Sequence, residues 1–326
     1  MSKTNKIRIG ILGTGFGQTH ARIFSAFSDV EVVGIAGKNE QKTMDVARAL
    51  GIQGYSEAEA LINNADVDAI DVCLPTELHA SYVIAALKQV KDVFCETPVA
   101  YNLADGIRMG KTARNTGKKL LAGLFGRFVS GYRYVHDFVA EARLGKLRAV
   151  YADRRTAPVW GGAWDENFIL NLMLHDIDYV CWLLGRPKAV LSQGLGNAAG
   201  GWDQVSISLE YSDARVVIEG CGIMPLSFPF STSLRVLGEQ GAIDLNWQWA
   251  GTAPLSETRY FPQEGTAQVL CVQDYDPYEA ECRYFVDCLQ GKVDPALLSM
   301  ETACDSLNIA LLAKASLEQG GKRISL

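Results

Sequence analysis

The stretch Ile9-Gly10-Ile11-Leu12-Gly13-Thr14-Gly15-Phe16-Gly17 decides the fold. An apolar run, residues 7–12, ends in alternating glycines and passes at once into helix-compatible sequence over residues 17–25. Strand, tight glycine turn and helix N-terminus, in that order, form the first turn of a dinucleotide-binding βαβ unit, where backbone approaches a pyrophosphate closely. The third glycine of a GxGxxG spacing falls on Gln18, with Gly17 one residue early. An ordinary strand-to-helix turn could use the same residues, so the surrounding order has to decide.

Working outward, residues 30–36 read as a second strand and 40–50 as a second helix, closed by Gly51, where the lack of a Cβ suits a left-handed cap. Ser56 with Glu59 reads as a capping box for a short helix. Residues 69–74 are a third strand, Thr76 starts a helix, and 93–95 are a fourth strand. Asn102 caps a helix running to residue 115, and 119–123 are a fifth strand. This alternation is that of a doubly wound parallel sheet covered on both faces, and it makes dinucleotide binding the favoured reading of the glycine loop.

After Leu124 the grammar changes. A helix over 132–143 is ended by Gly145, a strand covers 147–154, and a very apolar helix spans 167–184. Residues 205–211 and 215–223 flank Ser212-Asp213-Ala214 as a hairpin, and 234–237 with 242–245 flank 238–241 as another. Asp276-Pro277 followed by Glu279 starts a helix, and a last one covers 300–317. The expected class is α/β: an N-terminal Rossmann domain, residues 1–124, and a C-terminal α+β domain, residues 125–326, built on an open, mainly antiparallel sheet. No Pro/Gly/Ser spacer separates them, which predicts closely packed halves with a cleft between.

The 326 residues carry 31 Lys plus Arg against 37 Asp plus Glu, a net charge of -6, with eight Cys and four His. That balance offers no basic face for nucleic acid. No apolar stretch reaches the roughly 18 residues of a membrane span, and the first six residues are too short and polar for a secretory signal. A soluble, cytoplasmic protein is expected. The cysteines form no CxxC pair and read as free thiols, and the histidines lack HExxH or related spacing, so no metal site is expected.

At the end of the second strand, where NAD enzymes place an acidic residue for the ribose hydroxyls, this chain has Gly37-Lys38-Asn39. No carboxylate repels a 2′-phosphate there, and Lys38 offers one a charge-assisted partner. NADP is therefore the preferred cofactor, with NAD as the alternative; a solvated surface lysine is the bland explanation. Gly13, Thr14, Gly15, Phe16 and Gly17 would hold the phosphates, with Lys38 and Asn39 at the ribose.

Four segments carry a further likeness: the Gly13 loop with His20 after it; Leu74-Pro75-Thr76-Glu77-Leu78-His79-Ala80; Cys95-Glu96-Thr97-Pro98; and Leu170-Asn171-Leu172-Met173-Leu174-His175-Asp176-Ile177-Asp178. Together, over nearly the whole chain, the sequence resembles the Gfo/Idh/MocA family of sugar and cyclitol oxidoreductases. The resemblance implies a nicotinamide lying between the halves, Leu74, Pro75, Thr76 and His79 along the cofactor, and Glu96 and Thr97 near the nicotinamide ribose. It also implies a small sugar or polyol substrate and a homo-oligomer, dimer or tetramer.

Two departures bear on mechanism. The family's Glu-Lys-Pro is Glu96-Thr97-Pro98 here, and its Asp four residues before the histidine is Asn171. Thr97 does not ionise near neutrality, so at most it orients substrate or relays a proton. His175 stands at the family position, and an ordinary imidazole pKa near 6.5 suits proton transfer. Asn171, His175 and Asp178 can share one helix face; a core histidine pinning the helix is the alternative. Arg127 and Trp160, with Trp164, are substrate-binding candidates, a surface salt bridge and packing being their alternatives. His20 and His79 read as helix-terminal hydrogen bonders, and His136 as a helix-surface residue.

The leading expectation is an NAD(P)-dependent oxidoreductase acting on CH-OH groups of a sugar, cyclitol or related polyol. His175 moves the proton and Asn171 holds the substrate oxygen. One alternative is a lyase or glycoside-cleaving enzyme that recycles a tightly bound cofactor; another is a catalytically degraded cofactor-binding sensor.

Overall fold

The structure, a computed structural model, describes residues 6–158, 164–249, 251 and 254–326. They form α/β structure around two sheets. Two compact units arise, Met1–Phe125 with Asp276–Cys304, and Gly126–Tyr275 with Asp305–Leu326. The chain thus returns to its first unit after building most of the second, a path that a single boundary after residue 124 does not include.

The first unit runs β1 (Ile7–Leu12), α1 (Gly17–Ala26), β2 (Val30–Ala36), α2 (Glu40–Leu50), β3 (Gln53–Tyr55), α3 (Ala58–Ile62), β4 (Ala69–Val72), α4 (Thr76–Lys88), β5 (Asp92–Cys95), α5 (Leu103–Thr116) and β6 (Leu120–Ala122). All its strands are parallel, in the order β3-β2-β1-β4-β5-β6. Burial on both faces explains the unbroken apolar runs: every residue of β4 and the last four of β1 are buried. Strand order reverses between β1 and β4, which opens a crevice at their carboxyl ends.

Local signals set the helix ends. Asn39 and Asn102 accept from the Lys42 and Asp105 amides, and Gly51 and Gly117 close α2 and α5 at φ 69° and 68°. Two details differ from the sequence reading. The edge strand β3 is a sixth strand, and the Ser56–Glu59 capping box does not form, because α3 starts after Glu57 with no side-chain cap.

The second unit begins with a 3-10 turn, Phe125–Phe128, whose last residues belong to it, and α6 (Ser130–Ala140), then β7 (Leu147–Arg155). The expected long helix is two pieces: a π-helical turn, Ile169–Met173, and α7 (Leu174–Leu184). Next come β8 (Ala189–Gly196), β9 (Trp202–Glu210), β10 (Arg215–Cys221), β11 (Ser231–Gly238), β12 (Gly241–Trp249), β13 (Pro254–Pro262), β14 (Gln268–Leu270) and, at the chain end, β15 (Ile324–Ser325). They form a nine-stranded sheet ordered β14-β13-β12-β11-β7-β10-β9-β8-β15. Both expected hairpins are present, β9–β10 with Arg215 opposite Glu210 and β11–β12 with Gly238 opposite Gly241. The pairing of β7 with β10 is parallel, so the sheet is mixed but mainly antiparallel.

The returning segment of the first unit carries α8 (Pro277–Leu289), started by Asp276 with Pro277 in its first turn. Phe285 of α8 packs on Phe94 and Phe24, ring centroids 5.0 and 6.2 Å apart. Arg283 forks onto Asp29 at 2.8 and 3.1 Å. The last helix, α9 (Met300–Glu318), follows.

Candidate active site

The glycine loop is shaped by what a side chain would strike. Gly13 has φ 111°, and a Cβ there would lie 2.2 Å from the Cys73 carbonyl oxygen, so only glycine fits. A Cβ on Gly17 would lie 2.9 Å from Ile11 Cγ2, which shows how closely α1 packs on β1. A Cβ on Gly15 would meet nothing within 4 Å; its open side faces away from the protein. The first turn of α1 has no acidic residue, and Phe16 before it gives no side-chain cap. Amide donors with a favourable dipole therefore remain for an anion, which is the chemistry of a dinucleotide pyrophosphate.

At the end of β2, a Cβ on Gly37 would lie 2.7 Å from Thr14 Cγ2, so that strand end meets the glycine loop. Lys38 beyond it is exposed. Asn39, expected at the ribose, uses its side-chain oxygen as the cap of α2, accepting from the Lys42 amide at 2.9 Å. That is a correction: the oxygen serves the helix.

The other first-unit candidates gather at the carboxyl ends of β4 and β5. Leu74, Pro75 and Thr76 form the turn into α4. His79 is buried and donates from Nε2 to the Leu74 carbonyl at 2.7 Å, with its pKa lowered by burial. It fixes this turn from behind, as the hydrogen-bonding reading expected, and its ring has no surface for direct cofactor contact. Thr97 donates its hydroxyl to the Gly123 carbonyl at 2.8 Å, so this proton is engaged with backbone. Glu96 lies one residue earlier, its backbone amide on the Val72 carbonyl at 3.0 Å.

His20 corrects the sequence reading most. It is wholly buried, with Nδ1 at 2.9 Å from Asp71 Oδ2 and Nε2 at 3.3 Å from Glu96 Oε1. Burial alone would lower its pKa, but Asp71 and Glu96 raise it to about 9. Burial raises Glu96 to about 7, with His20 opposing and Asp71 adding. A charged residue inside the apolar run Ala69-Ile70-Asp71-Val72 was the available signal, since a buried carboxylate needs a partner. Ligand atoms of His20, Asp71 and Cys73 lie within 4.8 Å of one another. A cation would have to displace a proton from an imidazole and a thiol whose pKa values are both raised, so the cluster reads as a hydrogen-bonded one.

In the second unit, Asn171 lies in the π turn and His175 at the start of α7; both are half-buried. Asp178 does not join them. It is buried and takes the Arg127 guanidinium at 2.9 and 2.7 Å and the Ser306 hydroxyl at 2.8 Å. Arg127 is therefore held in a buried pair, neither offered to substrate nor part of a surface salt bridge. Asp176 is held by Arg154 in the same forked way, at 2.7 and 3.0 Å, a partner the sequence reading missed because it lies on a separate strand. Burial, then the Arg154 charge, lower His175 to about 3, which removes the ordinary imidazole titration on which its expected role relied.

Trp164 donates its indole N–H to the Gly222 carbonyl at 3.2 Å and meets Phe168 edge-on, so it packs. Trp160 lies outside the described residues. His136 stacks on Trp182 at 3.5 Å and is half-buried, not a plain surface residue.

Comparison with known proteins agrees with this geometry. Residues 7–124 match the oxidoreductase family with NAD-binding Rossmann fold, Gfo/Idh/MocA, and residues 132–244 match that family's C-terminal domain. A glycine loop built for a dinucleotide and a mixed sheet after it thus define an NAD-binding oxidoreductase class. The chain belongs to the Gfo/Idh/MocA family. The myo-inositol 2-dehydrogenase of Thermotoga maritima is 26% identical over 96% of this chain and 97% of its own. The inositol 2-dehydrogenase of Azotobacter vinelandii is 34% identical over 55% of this chain and 54% of its own. An oxidoreductase from Agrobacterium radiobacter, solved with NAD+, L-tartaric acid and magnesium, shares the fold at TM-score 0.85 and 17% identity, covering 98% of each chain. Among the described residues, no helix is long and apolar enough to cross a membrane.

Proposed function

We propose that the chain is an NAD(P)-dependent dehydrogenase that oxidises a hydroxyl carbon of a cyclitol or related polyol. The observation that carries this is the glycine loop: Gly13 and Gly17 admit no side chain, while the side of Gly15 is open beside an uncapped helix N-terminus. The inositol dehydrogenases among its relatives support the substrate class. When bound, the nicotinamide supplies hydride chemistry.

The chain's own residues do the rest. Gly13, Gly15 and the first turn of α1 hold the phosphates, and exposed Lys38 favours the 2′-phosphate of NADP. Asn171 and His175 orient the substrate oxygen, His175 as a neutral imidazole throughout the working range. Thr97, donating to the Gly123 carbonyl, steadies the turn that carries Glu96.

The test is cofactor binding followed by a polyol panel. NADP+ is expected to bind more tightly than NAD+, and Lys38→Ala to erase about tenfold of that difference. Reduction of the nicotinamide on addition of a cyclitol is expected, with His175→Asn about 10²-fold slower. Absence of turnover across cyclitols and aldoses overturns the reading, as unchanged turnover in His175→Asn overturns that residue's role.

A further inference from the structure

We propose that Glu96 is a further proton-transfer residue of this site, held in place by His20 and Asp71. The proposal deepens the dehydrogenase reading and rests on it for the substrate, though not for the proton that Glu96 carries.

One imidazole, from α1, stands between two carboxylates, from β4 and from the residue after β5. An imidazolium offsets one negative charge, so with both carboxylates ionised one charge is left over inside the protein, where it is costly. Geometry says which carboxylate keeps a proton. Asp71 makes the shorter bond, 2.9 Å, and its side chain is 0% exposed; Glu96 stands at 3.3 Å and is 19% exposed, the one member that reaches the surface. Among the described residues neither His20 Nε2 nor Glu96 Oε1 has a hydrogen-bond partner, and their 3.3 Å approach is a loose ion-pair contact. The pair titrates as a unit, and the exchangeable proton resides on Glu96.

The other groups around the cluster bring no positive charge. They are the Cys73 and Cys95 thiols, both pushed up by burial, and from the segment of α8 Cys282, with Glu281 and Asp276 beyond it. Glu96, raised to about 7, is thus matched to proton transfer at neutral pH. Thr97 and His175 lack this property, the first because it does not ionise and the second because it stays neutral. Oxidation of an alcohol carbon, for which a bound nicotinamide would supply the hydride acceptor, also frees a proton from the oxygen. The Glu96 carboxylate takes that proton, becomes the carboxylic acid, and returns it to water at its exposed edge. Reduction runs the same transfers backwards.

Carboxyl-labelled glutamate in the intact protein, followed by carbon NMR, tests the titration without turnover. One glutamate signal is expected to titrate near pH 7 and to vanish in Glu96→Gln. His20→Gln removes the imidazolium and should move that midpoint up by about one pH unit or more; Asp71→Asn removes the rival charge and should move it down. A merely structural role for either residue leaves the midpoint where it is. An ordinary Glu96 titration, about 4 to 5, overturns the proposal. In kinetics, Glu96→Gln should lower kcat about 10²-fold or more and abolish the limb of kcat/KM near pH 7. An unchanged pH profile overturns the transfer role. If the wild type turns over no polyol while the NMR titration stands, the dehydrogenase reading has failed and the transfer step with it, and the proton-holding cluster is confirmed alone.

Discussion

The carboxylates of Asp176 and Asp178 in the second unit and those of Asp71 and Glu96 in the first are compensated in opposite ways. In the second unit Asp176 and Asp178 each have a guanidinium of their own, Arg154 and Arg127, in forked geometry. In the first unit Asp71 and Glu96 share one imidazole. An arginine stays charged at every physiological pH, so the first arrangement is fixed. A histidine between two acids leaves the number of protons adjustable. Burial alone does not decide whether a charged cluster is structural or responsive; the number and type of its counter-charges do.

The largest expected effect comes from breaking a fixed pair. Arg154→Met leaves Asp176 buried without its cation and should destabilise the protein by about 3–5 kcal/mol in urea unfolding. The double variant Arg154→Met with Asp176→Leu, which removes both charges, should recover most of that loss. The single variant should also raise the His175 pKa, since the Arg154 charge that disfavours imidazolium is gone. A single variant as stable as wild type would mean the pair is not the pin described.

Next in size is the pH dependence of the shared cluster. His20 titrates at about 9 in the fold against about 6.5 unfolded, so its contribution is fully present below pH 6.5 and is lost as pH rises through 9. Glu96 is raised to about 7, so the folded state binds its proton more tightly and stability falls as pH climbs from about 4.3 to 7. Both slopes have the same sign. The contribution of this cluster should therefore be greatest below about pH 4 and decline by several kcal/mol towards pH 9, and Glu96→Gln should remove the lower part of that decline. Urea midpoints that rise between pH 5 and 9 would contradict the charge count.

Legibility in the sequence follows the range of the interactions. Glycine and asparagine caps act within a few residues, and Gly51 and Asn102 mark helix ends where expected. Parallel strands buried on both faces announce themselves as apolar runs. The edge strand β3 has three residues and no such run. The π turn lies in the apolar sequence Ile169-Leu170-Asn171-Leu172-Met173, where nothing in the periodicity distinguishes a wide turn from an ordinary one. At the site, the glycine loop is local and legible. The pairing of His20 with Asp71 spans 51 residues and that of Arg127 with Asp178 another 51, so His20 reads as a helix-end residue and Arg127 as a ligand until the fold brings their partners in. A carboxylate within an apolar run shows that a partner exists, but does not say which.

Asp29 supplies the smallest effect and a third setting for a carboxylate. It has a guanidinium of its own, Arg283 at 2.8 and 3.1 Å, and the Gln290 amide at 2.9 Å, but the pair is about a quarter to a third exposed. Hydrogen bonds from Arg283 hold its pKa at about 2 despite some burial. A depressed carboxylate stabilises the fold above the unfolded pKa near 3.9, and that contribution is lost as pH falls through 2. With solvent screening, Asp29→Asn should cost about 1–2 kcal/mol at pH 7, and the difference from wild type should close by pH 2. This pair ties α8 to the segment before β2, so limited proteolysis should find residues 276–304 easier to release in the variant at pH 7 than at pH 2.5, relative to wild type. A loss at pH 7 as large as that of Arg154→Met would show that owning a guanidinium matters more than its burial. A loss that is the same at every pH would mean that Asp29 acts through packing, and the charge on its carboxylate is incidental.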